Sequence, residues 1–263
     1  MKINCVIVTY NRLSLLKECI SALKNQTYKI NKIYIINNNS TDGTSDYLQE
    51  LIADSQFVII NLPQNIGGAG GFSEGIKRVV LDGCDWAWIM DDDTIPMNNA
   101  LEELVKGTTV TKNVGYVCSR VVWTDGMIHK MNIPRFDCEN KQHLPINYYS
   151  NLADVLLIRA ASFVSLLINS KAVREVGLPI KEFFIWGDDT EFTTRIYQHG
   201  YVCLYASQST VIHKTTENYI SQLQNAPVEA LWKFQYGFRN DIFLRRMRKK
   251  NFLFFISVIN AYR

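Results

Sequence analysis

Short apolar runs alternate with helix-spaced segments through the first part of the chain. Residues 3–8 are typical of a buried strand, and residues 13–23 place Leu13, Leu16, Cys19, Ile20 and Leu23 on one helical face. The same rhythm predicts further strands at residues 32–36, 57–61 and 86–90, with helices at 47–52 and 72–81. Strands that alternate with helices predict an α/β fold, with a mainly parallel sheet flanked by helices.

Polar or glycine-rich segments follow each of these predicted strands. They cover residues 9–12, 37–43, 65–71 and 91–93. Parallel α/β sheets bind ligands at the carboxyl ends of their strands. The coincidence is the first indication of a binding site at that edge.

The second half of the chain is less regular. Its apolar runs predict strands at residues 114–122, 161–169 and 201–205, and a helix at 190–199 is closed by Gly200. Residues 125–150 are polar and contain Pro134 and Pro145, so they are interpreted as a long loop.

Composition narrows the class of protein. A chain of 263 residues, 47% hydrophobic and 20% charged, is long enough for one α/β domain with an appendage. A net charge of +3 is too small to indicate a nucleic-acid partner. The six cysteines are scattered without a CxxC pair, which fits a reducing cytoplasm, and no run of 18 apolar residues predicts a membrane-spanning helix.

Cations crowd the end of the chain, and an apolar run at residues 252–256 follows them. These cations are Arg239, Arg245, Arg246, Arg248, Lys249 and Lys250. A basic cluster beside an apolar segment predicts peripheral contact with an anionic membrane surface. The alternatives are a solvated helix packed on the domain and an element whose continuation is missing.

Three adjacent carboxylates follow the predicted strand at residues 86–90. Alternate side chains of an extended segment point the same way, so Asp91 and Asp93 share one side and Asp92 takes the other. Divalent cations such as Mg²⁺ and Mn²⁺ take carboxylate ligands of this kind. The alternative is a solvated acidic turn that caps the next helix, and the pattern alone does not decide between them.

A second acidic cluster follows the apolar residues 183–185. Asp188 and Asp189 lie beside Trp186, and neighbouring carboxylates in apolar surroundings can have one pKa raised, which suits a general base. The alternative is helix capping, with Glu191 in the first turn.

His213 follows the apolar residues 211–212 and is interpreted as a third metal ligand if it shares a face with the aspartates. The remaining histidines, His129, His143 and His199, have no comparable setting.

Residues 67–71 contain four glycines directly behind Asn65. Such a concentration predicts a loop whose backbone approaches a ligand closely. The segment matches neither the GxxxxGK[ST] phosphate loop nor a GxGxxG unit with a suitably spaced acidic residue.

Together these segments resemble the inverting family 2 glycosyltransferases of the GT-A fold. The resemblance rests on residues 9–12, the loop at 39–44, the aspartate run and the Asp-Asp pair before a helix. More narrowly, residues 65–72, 91–93 and 186–189 with His213 resemble bacterial galactofuranosyltransferases, and residues 236–240 are similar to that family's aromatic-Arg-Asn segment.

The resemblance implies a GT-A domain at residues 1–220 and a C-terminal helical, basic and aromatic segment at 221–263. Within the domain, residues 1–98 would form the nucleotide-sugar-binding half and residues 99–220 the acceptor-binding half.

The resemblance also implies a role for each matching residue. Asp91, Asp93 and His213 would ligate Mn²⁺ or Mg²⁺, and Asp189 would be the general base. Trp186 and Asp188 would shape the acceptor side. The donor-binding residues would be Thr9, Asn11, Arg12, Asn38, Asn39, Asn65, Gly67, Gly68 and Asp92.

The all-aspartate run favours UDP-galactofuranose as donor, because related rhamnosyltransferases, which use dTDP-rhamnose, often carry Asp-Gln-Asp. The implied acceptors are lipid-linked surface glycans. Two other classes stay open. A metal-dependent nucleotidyl- or phosphotransferase would release pyrophosphate, and a carbohydrate-binding module would need neither acidic cluster.

Overall fold

The computed structural model describes residues 1–137, 154–220 and 222–248, which contain ten strands and seven α-helices. The strands are β1 Ile3–Thr9, β2 Lys32–Asn37, β3 Phe57–Asn61, β4 Trp86–Asp91, β5 Thr94–Pro96, β6 Val114–Val122, β7 Arg135–Phe136, β8 Val155–Ala160, β9 Leu166–Asn169 and β10 Val202–His213. The helices are α1 Leu13–Lys24, α2 Thr44–Leu51, α3 Gly67–Leu81, α4 Ala100–Thr108, α5 Ser170–Val176, α6 Asp188–Gln198 and α7 Leu231–Arg248. Every element predicted for the first part of the chain is present.

The strands form a mixed sheet in the order β3-β2-β1-β4-β9-β6-β10-β8-β7, and β5 pairs with β10. The strands from β3 to β4 run parallel, as do β6 and β10. By contrast, β5, β7, β8 and β9 pair antiparallel with their neighbours. The predicted α/β fold with a mainly parallel sheet is confirmed, and β9 joins its two parallel groups.

The two faces of the sheet carry separate apolar layers. Cys5 and Ile7 of β1 pack into the layer that includes Leu16 of α1, whereas Val6 and Val8 pack into the layer that includes Ile76 of α3. Because both faces are covered, all seven residues of β1 are buried. This explains why the central strands read as continuous apolar runs.

The glycine-rich segment is helical rather than a loop, because α3 begins at Gly67. A Cβ atom on Gly70 would lie 2.7 Å from the Ile66 side chain, and one on Gly71 would lie 2.5 Å from that of Val8. The expectation that the whole run approaches a ligand is therefore wrong for Gly70 and Gly71, which let the helix pack closely on its own first turn and on β1. Of the four glycines in this run, only Gly68 has open space where a Cβ would lie.

The strand predicted at residues 161–169 is shorter than expected. Strand β9 begins at Leu166, and the residue before it, Ser165, has a φ of 57°. This left-handed backbone breaks the run, so Phe163 and Val164 leave the sheet and reach the cavity described below.

The C-terminal helix α7 confirms the predicted helical segment as far as Arg248. Residues 249–263, and the part of the long loop at 138–153, lie outside the described residues. Among the described residues, no helix has both the length and the apolar character needed to cross a membrane.

Candidate active site

A cavity of about 540 Å³ lies at the edge where β1, β4 and β10 end. This volume suits a small-molecule ligand. The strand ends form its floor, and the segment before α6 and one face of α7, which contact each other, form a wall. Its charged and ionisable side chains are Arg12, Asp91, Asp93, Arg135, Asp188, Asp189, His213 and Lys233. The two acidic clusters and the histidine predicted from the sequence therefore share one cavity.

The three consecutive aspartates divide between the cavity and the protein interior. Asp91 and Asp93 line the cavity, whereas Asp92 does not line it and accepts a hydrogen bond of 2.7 Å from Thr9 Oγ1. Asp91 and Asp93 therefore share a side as predicted, but the predicted extended backbone is wrong, because β4 ends at Asp91 and the chain turns at Asp92 and Asp93. Asp92 thereby ties the end of β1 to the end of β4.

Arg12 connects the acidic run to the first loop. Its Nη1 atom lies 2.5 Å from Asp93 Oδ2 and 3.3 Å from Asp92 Oδ1. The guanidinium therefore neutralises part of the charge that three adjacent carboxylates place at the end of a buried strand.

Asp91, Asp93 and His213 offer ligand atoms that all lie within 4.8 Å of one another. Asp93 Oδ1 is buried and receives no hydrogen bond, although His213 Nε2 lies only 3.1 Å from it. Two electron-pair donors that face each other in this way fit a shared cation.

Asn132 explains the orientation of the His213 ring. Its Nδ2 donates to Ser162 Oγ at 3.0 Å, so its Oδ1 faces His213 Nδ1 at 2.8 Å. An amide oxygen only accepts, and Nδ1 therefore carries the proton. Burial disfavours the charged imidazole, but Asp93 outweighs it and raises the pKa of His213, so without a cation the protonated ring pairs with Asp93. In its neutral form His213 turns the lone pair of Nε2 towards Asp93, as a metal-binding histidine does.

The carboxylate pKa values follow burial and neighbouring charge. Burial and the charge of Asp93 raise the pKa of Asp91 to about 6, while burial raises that of Asp92 to about 7 against the opposing effect of Arg12. Burial also acts to raise the pKa of Asp93, but His213 and Arg12 outweigh it and hold that pKa below its usual range. Asp93 is therefore the carboxylate most firmly held as an anion.

His129 packs beside the site, although the sequence analysis found no setting for it comparable to that of His213. Its imidazole is fully buried, with the ring centre 4.6 Å from that of His213, and Nε2 lies 2.8 Å from Thr215 Oγ1. Burial and the neighbouring His213 lower the pKa of His129 to about 4, so it packs as a neutral ring. His143 lies outside the described residues, and His199 bonds the backbone oxygen of Arg195 within its own helix end.

Asp188 and Asp189 begin helix α6 and line the same cavity. Burial, followed by the charge of Asp189, raises the pKa of Asp188 well above its ordinary value. Burial also raises the pKa of Asp189, opposed by a 2.6 Å hydrogen bond from the Thr190 N–H to its Oδ1. The pair is suited to hold one proton on Asp188 while Asp189 stays available as a base.

The segment before this pair has unusual backbone geometry. Phe184 and Trp186 have φ values of 64° and 65°, a conformation that costs about 1–3 kcal/mol for a bulky residue. Asn240 of α7 compensates, because its Nδ2 lies 3.0, 3.1 and 2.7 Å from the carbonyl oxygens of Phe183, Ile185 and Trp186. Helix α7 therefore fixes the approach to Asp188 and Asp189.

Residues 5–177 match the profile of glycosyl transferase family 2. The chain belongs to this family. The enzyme is 26% identical over 213 residues to galactofuranosyltransferase GlfT1 of Mycolicibacterium smegmatis, covering 77% of this chain and 68% of the relative. For the GlfT1 of Mycobacterium tuberculosis H37Rv the identity is 24% over 209 residues, covering 74% and 64%. The glycosyltransferase thus spans about two thirds of the length of these relatives.

Solved structures place the glycosyltransferase in the GT-A fold. GalNAc-T7, solved with UDP, GalNAc and Mn²⁺, superposes with a TM-score of 0.66 at 16% identity, over 82% of this chain and 44% of that one. The mannosyltransferase PcManGT of Pyrobaculum calidifontis, solved with GDP-mannose and Mn²⁺, gives a TM-score of 0.61 at 15% identity, over 99% and 68%. The predicted GT-A fold is confirmed, and membership of glycosyl transferase family 2 confirms the predicted class of enzyme, a glycosyltransferase.

The residues predicted to bind the donor lie along one side of the glycosyltransferase cavity, but only some line it. Arg12 and Gly68 do so, and Asn11 and Asn39 are exposed on the neighbouring loops. Thr9 and Asp92 are buried against each other behind Arg12. Their predicted contact with a donor stays a prediction.

Asn38 and Asn65 hold the start of α3. Asn38 Nδ2 donates to the Gly67 carbonyl at 2.9 Å, and its Oδ1 accepts from the Ile66 N–H at 2.9 Å. Asn65 Oδ1 accepts from the Gly67 N–H at 2.8 Å, and Gly67 has a φ of 77° with its Cα against the Phe184 carbonyl. The Asn38 amide is thus used internally, and these residues position the Gly68 backbone at the cavity.

Sequence reasoning missed Asn132, His129, Arg135 and Lys233 around this site. The first three come from residues 125–150, where no periodicity or spacing marks a partner. Lys233 lies 20 residues beyond His213 and reaches the cavity only because α7 packs on the segment before Asp188.

Proposed function

We propose that the chain is a metal-dependent inverting glycosyltransferase that transfers galactofuranose from UDP-galactofuranose to a hydroxyl of a lipid-linked surface glycan. The observation that carries the proposal is that Asp91, Asp93 and His213 share one cavity with an Asp188–Asp189 pair that does not belong to their ligand group. The first three residues would serve the leaving diphosphate, and the Asp188–Asp189 pair would serve the attacking hydroxyl.

Asp91, Asp93 and His213 are the residues that would hold Mn²⁺ or Mg²⁺. Such an ion, when bound, supplies positive charge to the diphosphate of the donor as it leaves. Arg12 adds a fixed cation beside the same carboxylates. The orphaned Asp93 Oδ1 and the orientation that Asn132 gives to His213 support this assignment.

On the acceptor side, Asp189 takes the proton of the attacking hydroxyl. The acceptor oxygen forms a bond to the anomeric carbon as the bond from that carbon to the diphosphate oxygen breaks, and the electron pair leaves with the diphosphate. Attack from the face opposite the leaving group inverts the anomeric configuration. Trp186 and Asp188 shape the surface on which the acceptor lies, which their position in the cavity wall supports.

The donor sugar is the part of the proposal that a donor screen tests. The all-aspartate run and the similarity to two galactofuranosyltransferases favour UDP-galactofuranose over dTDP-rhamnose. We expect UDP release with UDP-galactofuranose and a glycan acceptor, and little nucleotide release with dTDP-rhamnose. The reverse preference would make the enzyme a rhamnosyltransferase, and pyrophosphate release would point to nucleotidyl transfer.

The lipid-linked acceptor and the peripheral membrane contact belong to the same proposal. Helix α7 exposes large apolar side chains on its outer side, and its inner side lines the cavity. The exposed ones are Leu231, Trp232, Phe238, Ile242, Phe243 and Met247. Sedimentation with anionic lipid vesicles tests this contact, and recovery of the whole chain in the supernatant would argue against it.

Replacement of Asn132 is expected to weaken metal binding without removing a ligand. Asn132→Leu removes the acceptor that fixes the His213 tautomer, and loss of such a partner lowers metal affinity about 10–100-fold. Asn132→Asp keeps an acceptor oxygen at the same place and is expected to stay closer to the original affinity. Titration with Mn²⁺, followed by its electron paramagnetic resonance signal, measures both. Equal affinities for Asn132→Leu and the unaltered chain would show that Asn132 does not orient the ligand.

A further inference from the structure

Lys233 places a cation in the cavity that none of the roles above uses. It lies on the third residue of α7 and lines the cavity together with Arg12, Asp91 and Asp93. Its side chain is partly buried, and its ammonium group is 5.9 Å from the Trp232 ring centre. Burial of an ammonium group is unfavourable without an anion, so a partly buried lysine at a cavity indicates that an anion binds there.

The helix that carries Lys233 packs firmly on the segment before Asp188. Arg239 Nη2 donates to the carbonyl oxygens of Glu182 and Phe183, at 2.7 and 3.0 Å. The Tyr236 ring stacks on Phe184 with the ring centres 4.9 Å apart, and the Phe234 ring meets Trp186 edge-on at 4.8 Å. Together with the three hydrogen bonds of Asn240, these contacts fix the position of the first turns of α7 beside the cavity.

The charges around Lys233 leave its ammonium group unbalanced. Arg12 is already paired with two carboxylates, Asp92 and Asp93. Lys233 forms no ion pair with any carboxylate in residues 1–137, 154–220 and 222–248. Burial and repulsion from Arg12 lower the pKa of Lys233, and the charges of Asp91 and Asp93 only partly oppose this. An anion that enters between α7 and the strand ends would relieve both effects.

We propose that Lys233 binds the diphosphate of the nucleotide-sugar donor and stays on it as the leaving group departs. This inference rests on the proposed function, because it takes a nucleotide sugar as the ligand. Lys233 donates a charge-assisted hydrogen bond to a phosphate oxygen and keeps its proton throughout. The electron pair of the broken bond to the anomeric carbon stays on the diphosphate, where Lys233 stabilises the added charge. Helix α7 thereby contributes to the donor site as well as to the acceptor wall.

Nucleotide binding in the presence of Mn²⁺ tests the assignment. Lys233→Met keeps the length of the side chain and removes its charge, so we expect UDP affinity to fall about 10–100-fold, the usual effect of a lost hydrogen bond to a charged group. Uridine, which carries no phosphate, is expected to bind both proteins equally. Lys233→Arg retains the charge and is expected to recover most of the UDP affinity.

Lys77→Met is the matched control, because Lys77 is an exposed lysine of α3 that does not line the cavity. The assignment is overturned if Lys233→Met binds UDP as the unaltered chain does, if it loses UDP and uridine affinity equally, or if Lys77→Met loses as much. Thermal unfolding checks that the variants are folded. If Lys233→Met is not, Lys233→Gln against Lys233→Arg provides the same comparison of charge. Failure of the unaltered chain to bind any nucleoside diphosphate would overturn the proposed function together with this assignment.

Discussion

Replacement of Asp189 by asparagine is expected to lower kcat by about 10²–10⁴-fold, the usual contribution of a general base, and to leave donor affinity nearly unchanged. Asparagine has the same shape but cannot accept the proton of the acceptor hydroxyl. The donor and its cation would bind at Asp91, Asp93 and His213, a ligand group that does not include Asp189. Single-turnover transfer and nucleotide titration separate the two effects.

The pH dependence of the unaltered enzyme gives a second measure of the same base. Burial raises the pKa of Asp189, and a base works only in its deprotonated form. Activity should therefore be full above that raised pKa and fall as pH decreases through it. In Asp189→Asn, the small remaining activity should lack this acidic limb.

Asp46→Asn is a suitable control for the loss of one carboxylate, because Asp46 is exposed on α2 and does not line the cavity. It should retain normal kcat. Full activity of Asp189→Asn, with the acidic limb intact, would show that another group removes the proton.

Local rules were enough to predict those parts of the site that lie at strand ends. The position of the aspartate run at the end of an apolar strand predicts that it reaches the cavity, and the order of apolar runs and polar ends along the chain predicts the same for His213. The separation of Asp92 from Asp91 and Asp93 comes from a turn after β4 and not from the pleat of a strand. Strands β3 and β6 have the predicted bounds. These signals depend on residues that are neighbours in the sequence, so the sequence alone is enough to predict them.

The contacts that orient the side chains of the site join residues that are far apart in the chain. Asn132 meets His213 across 81 positions, and Asn240 meets the Trp186 carbonyl across 54. The glycines of α3 gave a misleading local signal, because close helix packing and close ligand approach both call for a missing Cβ. Only the placement of α3 on β1 separates these two reasons.

Removal of divalent metal is expected to have the other large effect, a fall in transfer rate of about 10³-fold or more, since a metal ion supplies several kcal/mol to a developing phosphate charge. Dialysis against a chelator, followed by addition of Mn²⁺ or Mg²⁺, measures this. We expect Mn²⁺ to restore activity at lower concentration than Mg²⁺, because an imidazole nitrogen in the ligand set suits Mn²⁺ better than the harder Mg²⁺.

Substitution of a metal ligand distinguishes a metal that supports catalysis from one that only stabilises the fold. Asp91→Asn should raise the Mn²⁺ concentration needed for half-maximal activity, and His213→Gln should in addition reduce the preference for Mn²⁺ over Mg²⁺. Both proteins should unfold at nearly the same temperature as the unaltered chain without metal, because Arg12 already compensates the remaining carboxylates Asp92 and Asp93. Undiminished transfer after chelation would mean that Arg12 and other cations of the cavity suffice for the leaving group, and the metal assignment of Asp91, Asp93 and His213 would then fall.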